Sequence, residues 1–156
     1  MAEALAVVGV VASIVQLVEF GSKILLRLND FQSSLGEIPK TFRHVKAELP
    51  LLLDTLEQTK KAIETGSIRD ETKKALLPVL DGCRAQIESL DDVIGKTLPL
   101  PGNSWREKAR KGISSLRQDS KVRKITADLR GYIQTLTYYA ATSSTLQPSI
   151  SISSKL

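Results

Sequence analysis

Apolar residues recur at helical spacing along three separate stretches of the chain. They are separated by 3, 4, 3, 4 and 7 residues within 39–65, by 4, 3, 4, 3 and 4 within 70–95, and by 3, 4, 3, 4 and 3 within 120–142. Alternating steps of three and four residues place these side chains on one side of an α-helix, in a row called a seam here. The seams consist of Phe42, Val45, Leu49, Leu52, Leu56 and Ile63; of Leu76, Leu80, Cys83, Ile87, Leu90 and Ile94; and of Val122, Ile125, Leu129, Tyr132, Leu136 and Tyr139.

Three such seams predict helices that pack side by side in an antiparallel bundle. We expect the leucines and isoleucines near the middle of each seam to form the core, because burying them contributes most of the hydrophobic stabilisation. Truncating one of them to Ala should therefore cost roughly 2–5 kcal/mol of stability. The predicted core residues are Leu52, Leu56, Leu80, Ile87, Leu129 and Leu136.

Loop signals divide the chain between these helices. Gly36 and Gly66 are plausible breaks, and the run of proline, glycine and asparagine at 98–103 is a clear one. Pro39 suits the first turn of a helix, whereas Pro50 and Pro78 fall inside seams, where we expect a kink or a bend rather than a stop. We predict an all-α fold, a four- to five-helix antiparallel bundle, with helices at 4–28, 39–65, 70–95, 104–117 and 120–142.

The predicted bundle occupies residues 1–142 as one domain. Residues 143–156 form a Ser/Thr-rich linker or tail, although the alternation of Ser and Ile at 149–153 also resembles a strand. The whole chain has 156 residues, a length that suits one domain with a continuous core.

The first helix has an almost wholly apolar first half. Fifteen residues separate Glu3 from Glu19, and none of them is charged. This is short for an ordinary membrane span, which needs about 17–25 residues, and Glu3 stands where a secretory signal would carry Lys or Arg. A helix that is apolar around most of its circumference is surrounded by protein or by lipid. We predict that its large side chains pack within the bundle at rest and can also enter a membrane; they are Leu5, Val8, Val11, Ile14, Val15 and Val18.

A line of small residues follows one side of this helix. Ala6, Gly9 and Ser13 are separated by three and four residues, so they share a face. Small side chains let a second helix approach closely, either in a bundle or in a membrane. We predict a close helix contact at these three positions.

The residue inventory argues against enzyme and metal chemistry. His44 is the one histidine and Cys83 the one cysteine, so a conventional His/Cys metal cluster cannot form. Cys83 occupies a seam, which favours a small core residue over a nucleophile. Gly9, Gly21 and Gly36 stand alone and do not form a phosphate-binding loop. We expect no enzyme activity and no cofactor.

Positive charge is concentrated in one segment. Residues 104–124 contain eight basic and two acidic residues, whereas the whole chain has a net charge of +5. Such a segment can bind anionic lipid or an acidic protein surface, and the alternative is a solvated helix whose long side chains cover its neighbours. Scarce aromatic residues argue against single-stranded nucleic acid as a partner. The candidate patch consists of Arg106, Lys108, Arg110, Lys111, Lys121, Arg123 and Lys124.

Three stretches of the sequence together resemble a known family. They are the opening MAEALAVVGVVASIVQL, the segments FGSK and LRLNDF that follow it, and IPKTFRHVKAELPLLL at 38–53. The chain is similar there to the SesA-type domain of fungal NOD-like receptors, a branch of the HeLo-like helical cell-death domains. The likeness extends over about residues 1–142 and is looser in the last helix.

The resemblance implies a cell-death effector that self-associates when activated and targets or permeabilises the plasma membrane through its N-terminal helix. It implies four features: homo-oligomers, anionic plasma-membrane lipids as partners, a nucleotide-binding sensor module in cis or in trans, and movement from the cytoplasm to the plasma membrane. The competing hypothesis is a soluble helical adaptor that binds another helical domain without touching lipid.

Overall fold

A computed structural model describes the backbone of residues 2–35, 38–98 and 105–144, and the side chains of residues 8–33, 38–98 and 118–142. The described chain forms four helices and no strand. They are α1 (Ala2–Leu35), α2 (Lys40–Glu64), α3 (Asp70–Thr97) and α4 (Trp105–Ser144). The all-α prediction is therefore confirmed, and the bundle has four helices.

The two helices predicted at 104–117 and 120–142 are one continuous helix, α4. Asp119 directly precedes the predicted start of the last helix and is a residue type that caps helices. It instead pairs with Arg123 one turn further along the same helix, with 3.1 Å between Oδ2 and Nη2. Residues 117–121 contain neither Gly nor Pro, so nothing in the backbone requires a break there. The predicted boundary was wrong because a residue suited to N-capping also tolerates a helix interior when its side chain finds a local partner.

The first helix also extends further than predicted, since Ser33 and Leu35 belong to α1 and not to a loop. Between Gly21 and Gly36 the chain has no glycine or proline to interrupt the helix. The helix therefore continues through Gln32 and Ser33, although a polar, serine-rich stretch is typical of a loop.

The two ends of α2 show how local sequence sets its bounds. Pro39 lies just before the helix, with φ of −53° and ψ of 143°, and not in its first turn as predicted. At the other end Gly66 has φ of +76°, the left-handed conformation that glycine adopts without steric cost. The amide N–H of Gly66 donates to the carbonyl of Ile63, and that of Ser67 donates to the carbonyl of Ala62. These two bonds form a Schellman motif, so the predicted stop at Gly66 is confirmed.

Short connections join consecutive helices, which therefore run antiparallel. Both α2 and α3 pack against α1 on one side and against α4 on the other. α1 and α4 thus lie diagonally across the bundle from each other, and so do α2 and α3. Pro50 and Pro78 both lie inside continuous helices, and both are exposed. The prediction that Pro78 does not end its helix is therefore confirmed.

The core is built from the predicted seams. The six predicted core residues are each at most 1% exposed, which confirms the assignment of the seam faces. Tyr132 and Tyr139, on α4, are only partly buried and cover the edge of the core. Truncating a fully buried leucine in such a core removes its hydrophobic burial and leaves a cavity.

Candidate functional site

The side of α1 that faces the bundle forms a buried row of its own. Its members repeat at helical spacing, with Gly21 completing the row, and each is at most 2% exposed. This row holds α1 against α2 and α3 through hydrophobic burial. It is called the inner row below and consists of Val10, Ile14, Leu17, Ile24 and Leu28.

The opposite side of α1 is apolar as well, yet it faces outward. Val8 is 65% exposed, Val15 is 37% exposed and Leu26 is 61% exposed, and Ala12 lies exposed between the first two. These four residues are called the outer row below. Because α1 packs against α2 and α3 on one side, no described helix covers the outer row.

The prediction that the large side chains of α1 pack within the bundle is therefore only partly right. Ile14 is fully buried, and Val11 and Val18 are half-buried against the core. For Val8 and Val15 the prediction was wrong, because a helix with neighbours on one side cannot bury its whole circumference. The side chain of Leu5 lies outside the described residues.

By length and composition, one helix of the described chain could cross a membrane, over Val8–Ser33 within α1. The core helix of a soluble protein and a signal sequence pass the same test. Only 28% of its most apolar window is buried, however, whereas a core helix is mostly buried. The segment also contains Glu19, Lys23, Arg27 and Asp30, which a bilayer interior disfavours.

The close helix contact predicted around Gly9 does not form in this bundle. A Cβ atom added at Gly9 would find nothing within 4 Å. The close approach is at Gly21 instead, where an added Cβ would lie 2.6 Å from Cδ2 of Leu53 on α2. Ala6 lies outside the described side chains, and Ser13 contacts a polar group. For Gly9 no close contact is therefore present within the bundle, whereas a close contact of these residues within a membrane stays a prediction.

That polar group is the guanidinium of Arg84, on α3. Its Nη2 atom donates to Ser13 Oγ over 3.1 Å and to Gln16 Oε1 over 3.0 Å. No carboxylate pairs with Arg84 among the described residues. This contact, called the Arg84 bridge below, fastens the charge-free first half of α1 to α3. Sequence reasoning missed it because 68 residues or more separate its partners.

Three of the seven residues of the predicted basic patch have described side chains. Lys121, Arg123 and Lys124 are all exposed on α4. The side chains of Arg106, Lys108, Arg110 and Lys111 lie outside the described residues, although the backbone of α4 is helical from Trp105 onward. The three described cations therefore face solvent, where an anionic partner could reach them.

The profile of the SesA family matches residues 11–136 of this chain. The chain belongs to the SesA family. The family is described as an N-terminal domain on NACHT NTPases and P-loop NTPases, which confirms the resemblance noted in the sequence. Comparison with curated proteins and with solved structures gives no match.

The SesA domain buries its one cysteine. Cys83 is fully buried in the seam of α3, and burial raises the pKa of its thiol to about 12. The thiolate is the reactive form of cysteine, so this thiol is protonated and inert at neutral pH. Among the described residues, no group of three His, Cys, Asp or Glu side chains could hold a metal ion. A helical domain at the N-terminus of such NTPases is an effector or adaptor module.

Proposed function

We propose that this SesA domain is a cell-death effector and signalling domain of a NOD-like receptor system, acting through self-association and membrane targeting by α1. The observation that carries the proposal is the outer row: Val8, Val15 and Leu26 remain exposed on a helix that is already docked by its other face. The family assignment supports the receptor context. On this proposal the domain rests in the cytoplasm and moves to the plasma membrane when activated.

Membrane contact can begin without unfolding. The outer row is exposed in the resting bundle, so it can enter the interface between headgroups and acyl chains while the inner row stays packed. Exposed cations on α4, among them Lys121 and Lys124, would add attraction to anionic lipid at about 1 kcal/mol per charge near the surface.

Full insertion of α1 would require its release from the bundle. Exposing Val10, Ile14 and Leu17 to water would forfeit roughly 5–9 kcal/mol at 1.5–3 kcal/mol for each side chain. Lipid hydrocarbon offsets that cost because it accepts apolar side chains as a protein core does. Release would also break the Arg84 bridge, which fastens the same half of the helix.

The test is leakage of dye from anionic vesicles, with Val8→Glu compared against Leu51→Glu. Both residues are exposed, by 65% and 56%, so neither change disturbs the core and both alter net charge equally. We expect Val8→Glu to abolish leakage, Leu51→Glu to retain it, and both to keep the helical circular dichroism of the native chain. A folded Val8→Glu protein that still permeabilises vesicles would make the membrane mechanism wrong. A deletion of residues 2–18 would be less informative, because it would remove three of the five residues of the inner row.

A soluble adaptor is the second candidate, and the spacing of the outer row favours it. Val8, Ala12 and Val15 are separated by four and three residues, the repeat with which one helix packs against another. An adaptor would bind no vesicles of any charge. Val8→Glu would nevertheless weaken self-association measured by light scattering across a concentration series, whereas Leu51→Glu would not. This pair of results would replace the membrane hypothesis with the adaptor hypothesis.

A further inference from the structure

A groove of about 230 Å³ lies between the start of α2 and the middle of α4. It is separate from the outer row of α1, since α1 contributes no residue to it. Thr41 and His44 come from α2, and Arg123, Thr126, Ala127 and Arg130 come from α4. The lining thus combines hydroxyl, imidazole and guanidinium groups, which all recognise oxygen atoms of anions.

The α2 side of the groove offers an unusual polar group. Thr41 is only 8% exposed and lines the groove, and its hydroxyl has no hydrogen-bond partner among the described residues. No buried side-chain oxygen or nitrogen of the described residues lacks a partner, so this unpartnered hydroxyl reaches solvent at the groove. A ligand in the groove can therefore exchange bonds to water for a bond to Thr41.

Thr41 also stands at the positive end of the α2 dipole. The residue before the helix, Pro39, makes no side-chain capping bond, and the first turn of α2 contains no acidic residue. The partial positive charge of the helix end is therefore not neutralised by the side chains of its own first turn. A helix N-terminus of this kind attracts a negatively charged group.

The α4 side supplies Arg123 and Arg130, and each guanidinium has hydrogen-bond donors that no described residue uses. Nε of Arg130 donates to Oε1 of Glu48 over 2.6 Å, which fixes the guanidinium while the described residues leave its two terminal nitrogens unused. Nη2 of Arg123 bonds Asp119 over 3.1 Å, and this side chain is 74% exposed. An exposed ion pair contributes little, so an anion can compete for Arg123. Planar guanidinium groups bind phosphate through two parallel hydrogen bonds.

We propose that this groove binds a phosphate monoester, with Thr41 and the N-terminal end of α2 on one side of the phosphate and Arg123 and Arg130 on the other. The groove suits a small phosphorylated group, since pockets for drug-sized ligands occupy about 300–1,000 Å³. The phosphate can belong to a soluble ester or to a lipid headgroup. Binding here does not require α1 to move.

The experiment titrates the folded protein with glycerol 3-phosphate and follows backbone amide shifts by NMR. Arg123→Gln and Lys124→Gln form a matched pair, because both remove one exposed charge from α4 and only Arg123 lines the groove. We expect Arg123→Gln to weaken binding about tenfold or more, with Lys124→Gln close to native. Thr41→Val keeps the shape of the side chain and should weaken binding by about threefold to tenfold, since it removes one hydrogen bond.

Equal losses for Arg123→Gln and Lys124→Gln would overturn the proposal, because they would mean diffuse attraction to positive charge. A second arm compares vesicles that contain phosphatidic acid with vesicles of equal charge that contain phosphatidylserine. Binding of free glycerol 3-phosphate that depends on Arg123 identifies a soluble ester as the ligand. Preference for phosphatidic acid vesicles alone, again dependent on Arg123, identifies a headgroup. No Arg123-dependent binding in either arm overturns the site, and it leaves the Val8 leakage test unaffected.

Discussion

α1 and α3 each pack against two other helices, yet their outward faces differ. Among the large apolar residues of α3, only Leu77 is as much as 38% exposed, and the rest of its outward face is mainly polar or charged. α1 exposes Val8, Val15 and Leu26 although the bundle makes the same demand on it. Packing therefore explains the composition of α3 and leaves the outer row of α1 unexplained. Apolar surface beyond what packing requires is a signal of function.

The largest expected effect is the difference in stability between substitutions at buried positions of α1 and α3 and a substitution at an exposed position of α1. Leu80→Ala on α3 and Ile14→Ala on α1 should each lower the free energy of unfolding by roughly 2–5 kcal/mol, because both side chains are at most 1% exposed. Val15→Ala on the outer row should change it by less than about 0.5 kcal/mol. Urea denaturation followed by circular dichroism measures all three. A Val15→Ala protein as unstable as Ile14→Ala would mean that the outer row is covered by protein.

Two glycines of α3, Gly82 and Gly95, differ in how closely another helix approaches them. A Cβ at Gly82 would overlap the hydroxyl oxygen of Tyr132 and lie 2.7 Å from its Cζ, so the ring must shift. We expect Gly82→Ala to cost about 1–3 kcal/mol, as overpacking does. Gly95 is on the same helix, and a Cβ added there would have no neighbouring atom within 4 Å, so Gly95→Ala should instead stabilise by about 0.5–1 kcal/mol. Thermal melts of both variants give the comparison, and two changes of the same sign would contradict the packing of α3 on α4.

The Arg84 bridge joins α3 to α1. Arg84→Gln should cost about 1 kcal/mol, because the two bonds to Ser13 and Gln16 are partly exposed to water. Hydrogen exchange should accelerate in the first half of α1 and remain unchanged in α4. Lys74→Gln removes the same charge from an exposed site of α3 and serves as the control. Equal exchange of α1 in both variants would show that Arg84 does not fasten it.

The smallest expected effect comes from Cys83 at alkaline pH. Burial raises the pKa of this thiol from 9.0 to about 12, so above pH 9 the unfolded chain loses the proton that the folded chain keeps. Stability from this group is complete below pH 9 and is lost as pH rises from there, by roughly 1 kcal/mol at pH 9.5. The unfolding free energy of Cys83→Ala should fall less steeply between pH 8 and 9.5 than that of the native protein. Parallel slopes would exclude Cys83 as the titrating group.

Regular seams made most of the fold predictable from sequence. The spacing around Leu56, Leu80 and Leu129 fixed which faces are buried, because a repeat of three and four residues permits one face only. Gly66 correctly predicted the end of α2, because glycine adopts the left-handed conformation required there more easily than any other residue type. Asp119 misled because its side chain suits both a helix cap and an ion pair within a helix.

The candidate sites were less predictable because they depend on distant parts of the chain. The outer row could not be separated from the inner row by sequence, since both are apolar and only the arrangement of α2 and α3 decides which is covered. The Arg84 bridge and the groove between Thr41 and Arg130 join residues on different helices. The basic segment was predictable as a charge excess, although its role as a lipid or partner patch stays a prediction.

The continuity of α4 through Asp119 has a mechanical consequence. Its 40 residues form a rod of about 60 Å at 1.5 Å per residue, without a hinge at the position where the sequence suggested one. The N-terminal half of α4 and the groove at Arg123 and Arg130 therefore belong to one lever. A tilt of about 5° that pivots at Leu129, in the buried seam, would displace the N-terminal end of α4 by about 3 Å, since about 36 Å of helix separates the two. A force applied to the basic half would in this way be transmitted as a torque to the contact between α4 and the start of α2.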